Sequence, residues 1–478
     1  MISNASTSIP RFNKLSSCLP YRLLTNKPFS STSQDTHKLT SHLVPNYGDI
    51  IPFHVKNSIG PYLIGNRLGH AIDPPSALIC NCAGYSSATT GFNPKWFFEL
   101  IERKKVDLSP LHVSRKYHVD PLNKLAKKLE DLTTGVIKNP HHESVKFCPC
   151  LGGSDAVEAA IKLALKRGYD NGVPDGKQEI IFLKHPFHGR TRSVIGTGES
   201  PEMHEGFNVS SSLNKQCPIN DIETLYKLIN KHTVAIVVEP IQGEPGVIKI
   251  NNEFAKALRH CCDQVNALLI SDEVQTGFYR TGINCFASAL IDLKPDVIVL
   301  GKALGGMLAL SGFVTPSSIA STFSPGTHGA TYAGNQLSCE LALENIDQYE
   351  HLNFGATMQH IGDEIKSICE QFNVGEVRGD GAMLAWEFNT DSQAKLVAES
   401  LFTIGIDLNL TIQPNLINPQ QFEGMHKILG TPISGISLAK TQQNRTLRIS
   451  PTFLTEDQLA ITLKMYDAAI NKVIKKLK

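Results

Sequence analysis

Lys302 stands just beyond the apolar run Val297, Ile298, Val299, Leu300, with Gly301 alone between them. The run is mostly β-branched, so it reads as a short buried strand that presents a lysine at its mouth. Burial disfavours the ammonium form, and a lysine held there is partly neutral near pH 7 and able to attack a carbonyl carbon. Taken by itself, such spacing more often marks a plain surface lysine. Three further β-rich runs shift that balance. EIIFLK precedes Phe187, His188 and Arg190, VAIVVE ends on Glu239 and leads to Glu244, and ALLIS precedes Asp272 and Gln275. Upstream, residues 151–168 read LGGSDAVEAAIKLALKRG. Two glycines and Ser154 lead into a helix with Asp155 and Glu158 early and Lys162, Lys166 and Arg167 late, an order that suits the helix dipole. Unpaired amides at a glycine-rich helix start converge on an anion, most naturally a phosphate.

These groups need a scaffold that brings strand ends together. Four β-rich runs separated by helical or loop stretches predict a sheet covered on both faces, and ligands in such sheets sit beyond the carboxyl ends of the strands. Helices are expected from Lys95 to Arg103, from Leu122 to Leu132, where leucines recur at helical spacing, from about Ser338 to Tyr349, and from Glu456 to the C-terminus. VGEVRGDGAMLAWEF alternates about a Gly-Asp-Gly turn and reads as a hairpin, and Arg448 lies on a short strand in TLRISP. Residues 43–94 are expected to be an arm of short strands and loops. Residues 411–445, rich in Pro, Asn, Gln and Gly, show no clear period.

A reactive lysine, an anion cup, an aromatic ring and a buried carboxylate are together the parts needed to hold pyridoxal phosphate. Asp272 set against the pyridine nitrogen would keep it protonated and able to accept electrons, and Lys302 would then be placed to move the substrate proton.

With those residues in hand, the chain resembles the class III aminotransferases of the fold type I pyridoxal-phosphate enzymes. GGSDAVEAAIKLA, FHGRT, VVEPIQGEPG, LISDEVQTGFYRTG, GKALGG, HGATYAGN and LRISP stand in the family's order across roughly residues 43–478. The resemblance implies a large domain with a mostly parallel seven-stranded sheet covered by helices, and a smaller α+β domain. The expected divisions are a targeting segment at 1–40, an arm at 41–95, the large cofactor-binding domain at 96–345 and the small domain at 346–478. It also implies that Gly153 and Ser154 cup the phosphate, Phe187 stacks on the ring, Asp272 meets its nitrogen, Gln275 approaches its oxygen, and Lys302 is the reacting lysine. His188 belongs to the same cofactor group. Thr331 would reach the phosphate of another subunit, which implies a homodimer or higher assembly with shared active sites. No metal is implied.

Within the class the chain looks most like the ornithine δ-aminotransferases, through LGKAL, PGTHGATY, VRGDG and the Asn46–Tyr47 pair. By that resemblance the δ-amine of ornithine passes to 2-oxoglutarate. Arg448 would take the α-carboxylate of glutamate, Glu244 would mask it when ornithine binds, and Arg190, Tyr47 and Tyr85 would complete the substrate site. An arginine's planar fork suits a carboxylate. Three features depart from that subgroup. His188 replaces a usual tryptophan, AGYSSATTGFNP lacks a usual GHxHP run, and residues are inserted before Arg448. Another ω-amine donor, 4-aminobutyrate or acetylornithine, is the alternative.

The chain has 478 residues, a formal net charge of +1 and 11 cysteines. That length suits a large domain with a smaller one, and the charge balance shows neither a basic face for nucleic acid nor a polybasic run for a membrane surface. No apolar run approaches a membrane span. Cys80/Cys82, Cys148/Cys150 and Cys261/Cys262 are too close or wrongly spaced for a zinc site and are read as reduced thiols. Through Pro45 the basic residues are Arg11, Lys14, Arg22, Lys27 and Lys38, the only acid is Asp35, and Ser and Thr are dense. That is the make-up of a mitochondrial presequence, which places the expected protein in the mitochondrial matrix.

Overall fold

The structure is a computed structural model that describes residues 53–67, 76–80, 87–92, 94–104, 113, 117–197, 204–209, 213–407, 433–437, 439–440 and 445–477. The targeting segment, Tyr47, Tyr85 and most of the 411–445 insertion lie outside the described residues. By its internal contacts the chain divides into two compact units. One comprises Val55–Gly65 with Pro75–Lys478, and the other Met1–His54 with Asn66–Pro74. Of the second, only residues 53, 54, 66 and 67 are described, all of them in strands. The stretches expected to form the large and small domains both lie in the first.

In chain order the first strands are β1 (Phe53–Ile59), β2 (Tyr62–Arg67), β3 (Ser76–Cys80), β4 (Val145–Cys150), β5 (Glu179–Leu183) and β6 (Asn214–Cys217). There follow β7 (Thr233–Val238), the short pair β8 (Ile241–Gln242) and β9 (Ile248–Lys249), then β10 (Leu268–Asp272), β11 (Val297–Leu300) and β12 (Ser311–Pro316). Seven of them form the central sheet in the order β4-β12-β11-β10-β7-β5-β6. Its β11-β10-β7-β5-β6 stretch is parallel, and only β12 runs antiparallel to its neighbours, β4 and β11. This is the mostly parallel seven-stranded sheet that the family resemblance implies.

Alternation along the strands explains why both faces are dry. On one side Ile180 and Phe182 of β5 join Ala235 and Val237 of β7 against Ala156, Ala160 and Leu163 of the helix Gly153–Asp170. Ile181, Leu183, Ile236 and Val238 face the other way and meet Phe254, Leu258 and Cys262 of the helix Asn252–Val265. Strands buried on both faces lose polar alternation, which is why β7 and β11 read as unbroken apolar runs.

The remaining strands are β13 (Gly375–Asp380), β14 (Met383–Phe388), β15 (Ile433–Ser437), β16 (Ala439–Lys440) and β17 (Thr446–Ile449). The sheet β13-β14-β17-β16 is antiparallel and contains the expected hairpin, while β15 pairs parallel with β3. The expected helices are Lys95–Lys104, Asp120–Thr133, Gln336–His351 and Glu456–Leu477. The cup helix takes Gly152 as its cap, and the Asp155 carboxylate accepts from the Gly152 amide at 3.1 Å.

Arg280 ties the C-terminal sheet to the central one. It is fully buried, and its guanidinium donates to the carbonyls of Ala382 (3.2 Å) and Pro451 (2.6 Å) and to the Thr89 hydroxyl (3.0 Å). Burial lowers its pKa to about 10. Because Pro451 lies just beyond the end of β17, this clamp fixes the height at which Arg448 stands. No described helix is long and apolar enough to cross a membrane.

Candidate active site

The carboxyl ends of β5, β7, β10 and β11 converge on one cavity of about 150 Å³, lined among others by Gly153, Ser154, Phe187, His188, Glu239, Asp272, Gln275 and Lys302. Parallel neighbours are bound to share a carboxyl edge, so side chains from distant parts of the chain meet there. A larger cavity of about 240 Å³ opens near Leu268 and Asp296, at the other ends of the strands. Two ion pairs close its lining, Arg259 with Asp296 at 2.8 Å and Lys138 with Asp263 at 2.6 Å, whereas the smaller cavity gathers the residues at the strands' carboxyl ends.

Lys302 opens a single tight turn, Lys302–Leu304, and has φ +40°, in the left-handed region that side chains other than glycine rarely adopt. Such a conformation costs about 1–3 kcal/mol and persists only where the surroundings fix it. Here Gly306 N donates to the Lys302 carbonyl at 2.8 Å and closes the turn. Burial, then the positive charge of Arg448, lowers the lysine pKa to about 8, against the pull of Glu244, Asp272 and Glu239. A lowered pKa means a larger neutral fraction at any pH above about 7. Capture of pyridoxal phosphate by the cofactor-free protein is therefore expected to accelerate with a midpoint near pH 8, well below that of an ordinary lysine, and stopped-flow absorbance measures it.

Asp272, buried at the end of β10, accepts the His188 Nδ1 proton at 2.8 Å, and its other oxygen accepts from Val274 N at 3.1 Å. Burial works against a charged His188, but the hydrogen bond and charge of Asp272, helped by Glu239, hold its pKa above the ordinary value. Glu239 is buried too. Its Oε2 accepts from Phe187 N at 3.0 Å, and burial raises its pKa to about 7, with His188 pulling down and Asp272 pushing up. Glu239 thus fixes the backbone that carries Phe187.

The helix start at Gly152–Ser154 is held open by small residues. A Cβ at Gly153 would lie 2.8 Å from Val274 Cγ1, and one at Gly243 2.1 Å from Gln275 Oε1. Gly189, at φ +115°, lets the Ser154 hydroxyl come close enough to accept from Arg190 N at 3.2 Å. A Cβ at Gly189 would sit 1.9 Å from Ser154 Oγ and 2.9 Å from its Cα. Gly189→Ala is expected to cost about 1–3 kcal/mol of stability, read by denaturant unfolding, and to weaken cofactor binding at least about tenfold by displacing Ser154.

Arg448, buried on β17 opposite Ala385 and Ala439, pairs with Glu244 at 2.7 Å. Arg190 is different: it is exposed and does not line the cavity, and only its backbone touches the site. Thr331 is also exposed and stands outside the cavity of its own chain. Tyr47 and Tyr85 lie outside the described residues.

Comparison with known proteins decides what this arrangement belongs to. The model of the aminotransferase class III family matches residues 76–468. The chain is a class III aminotransferase. It is 34% identical over 326 residues to an acetylornithine aminotransferase of Clostridium acetobutylicum, covering 67% of this chain and 79% of that protein. It is 37% identical over 303 residues to a succinylornithine transaminase of Salmonella typhi, covering 62% and 71%. Among solved structures it superposes on an ornithine aminotransferase from Toxoplasma gondii with a TM-score of 0.77 at 21% identity, covering 93% and 96%. An acetylornithine aminotransferase from Elizabethkingia anophelis gives 0.70 at 25%, covering 92% and 99%.

This aminotransferase is therefore a pyridoxal-phosphate-dependent transaminase of fold type I. The cavity fits that group. His188 Nε2 and Gln275 Nε2 are buried polar atoms without a hydrogen-bond partner, both on residues that line the cavity, and Gly153 and Ser154 of the helix start line it too. Sequence reading missed the supporting residues. Glu273, next to Asp272 in DEVQTG, turns inward to accept the Ala287 (3.1 Å) and Ser288 (2.6 Å) amides and the Thr276 hydroxyl, so one acid of the pair faces the cavity and the other holds the loop. Val274, Gly189 and Gly243 were equally silent, because a residue that only makes room carries no chemical signature.

Proposed function

We propose that this aminotransferase takes the δ-amino group of L-ornithine and passes it to 2-oxoglutarate, giving glutamate 5-semialdehyde, which cyclises to pyrroline-5-carboxylate, and glutamate. The observation that carries this reading is the 2.7 Å ion pair between buried Arg448 and half-buried Glu244. Ornithine must present its terminal amine and glutamate its α-amine, so a carboxylate has to be received close to the lysine in one half-reaction and kept away in the other. An arginine that trades an internal glutamate for a substrate carboxylate keeps a partner throughout, and this matters because a buried charge left alone costs several kcal/mol.

The bound cofactor supplies a carbonyl to receive the amine and a ring to accept electrons. Around it, Lys302 is assigned the proton transfer at the carbon that bears the amine. Asp272, oriented by His188, is assigned the negative charge facing the ring nitrogen. Phe187, held by Glu239, would pack on the ring, Gln275 would donate to its oxygen, and Gly153 with Ser154 would receive the phosphate. Glu244→Gln is expected to release Arg448, raising KM for ornithine at least about tenfold while glutamate remains a good donor. Steady-state kinetics with both donors measures it.

A second reading has its own support, since the curated relatives above are named for acetylornithine and succinylornithine. The test is the half-reaction without oxo acid. Ornithine should bleach the visible band of the bound cofactor and yield trappable pyrroline-5-carboxylate. Bleaching by acetylornithine with ornithine inert would transfer the assignment to an N-acylated donor and leave the residue roles standing. A homodimer belongs to the same proposal, for which the exposed Thr331 and its 60% exposed neighbour Tyr332 are available as contacts. The composition of residues 1–40 supports residence in the mitochondrial matrix.

A further inference from the structure

Spacing alone reads the Cys148–Cys150 pair as two reduced thiols, and the fold brings an imidazole beside them. His328, 178 residues beyond Cys150 in the chain, brings Nε2 to 4.0 Å from Cys150 Sγ. The ligand atoms of Cys148, Cys150 and His328 all lie within 4.8 Å of one another. We propose that these three side chains form a site for one soft divalent cation of the zinc class, separate from the cofactor cavity.

The geometry is close to what such an ion requires. Tetrahedral zinc, with Zn–S about 2.3 Å and Zn–N about 2.0 Å, places its ligand atoms about 3.5–3.8 Å apart. Small side-chain rotations close that difference. The donor set contains thiols and an imidazole with no carboxylate, which selects thiophilic metals over magnesium or calcium. Each ligand is also held from outside. Cys148 and Cys150 occupy alternate positions of β4, hence one face of the strand, and both are pinned by pairing with Phe313 and Ser311 of β12. The His328 ring stacks on Phe323 with centroids 5.2 Å apart and planes at 14°, and Lys162 Nζ donates to the carbonyl of the preceding Thr327 at 2.5 Å. His328 also borders a cavity of about 660 Å³, which offers an approach for the ion and room for a water at the fourth position.

A disulfide is the weaker alternative for the thiols. Alternate residues of an extended strand have Cα atoms about 6.6–6.8 Å apart, at the outer limit for an S–S bridge. The described cysteines form no disulfide.

The test uses the untagged, cofactor-loaded, full chain, stripped of metal with a chelator and titrated with Co²⁺, then with Zn²⁺. One equivalent of Co²⁺ should produce the near-ultraviolet absorbance of thiolate–cobalt bonds, and one equivalent of Zn²⁺ should abolish it. Cys148→Ser should about halve the band, His328→Gln should weaken Zn²⁺ binding at least about tenfold, and Cys217→Ser, remote from the cluster, should change neither. Metal-free melting curves check that each variant folds. Should the buried Cys150→Ser variant fail to fold, the half-buried Cys148→Ser decides. Zn²⁺ should also slow hydrogen exchange across residues 324–335, the loop that carries Thr331. Absence of a thiolate–cobalt band, or a band that Cys148→Ser leaves intact, would overturn the proposal.

Discussion

Lys302→Ala is expected to lower kcat for transamination by at least about 10⁴-fold, because the change removes both the amine that engages the cofactor carbonyl and the base that moves the substrate proton. The fold should survive, since Lys302 occupies a one-turn element whose neighbours Ala303 and Leu304 supply the packing. Alanine carries a Cβ as lysine does, so the backbone strain at this position is unchanged by the substitution. Two readouts separate this outcome from general damage. Borohydride treatment should fix cofactor covalently in the parent and not in the variant, while the melting temperature should shift by only a few degrees. An active Lys302→Ala protein would remove the central assignment.

Asp272→Asn should cost kcat about 10²–10⁴-fold with little change in volume, because it keeps the shape and deletes the charge. The same substitution has a second signature in His188. Its pKa is raised only because Asp272, with help from Glu239, outweighs the opposing effect of burial. Without that carboxylate, burial is opposed mainly by Glu239, and His188 should titrate lower. The sign follows from the charged form: losing an adjacent anion destabilises the imidazolium, so the proton leaves at lower pH. Histidine ring resonances followed through a pH series in the cofactor-free protein measure it. A His188 that titrates identically in both proteins would show that the 2.8 Å contact is not the source of its perturbation.

Much of the scaffold was legible because sheets buried on both faces write themselves as apolar runs. VAIVVE, ALLIS and VIVL are such runs, and the helices facing them carry leucines and alanines at helical spacing. The polar residue ending each run was readable for the same reason, since a parallel strand delivers its last residues to the ligand edge. Lys302, Asp272 and Phe187 all line the expected cavity. Gly152 as the helix cap was not legible, because GGS permits several starting points and the Asp155 carboxylate selects among them.

The sequence by itself determined the strand and helix alphabet, the glycine-rich helix start and which residue types would gather at the sheet's carboxyl edge, because each depends on neighbours within a few residues. Only the tertiary structure decided which of those residues meet. Glu244 and Arg448 lie 204 residues apart, Asp272 and His188 84, and Cys150 and His328 178. Tertiary packing likewise divided the two acids of DEVQTG between the cavity and the loop, and left Arg190 exposed. Those outcomes depend on strand order, which fixes distances in space that spacing along the chain leaves open.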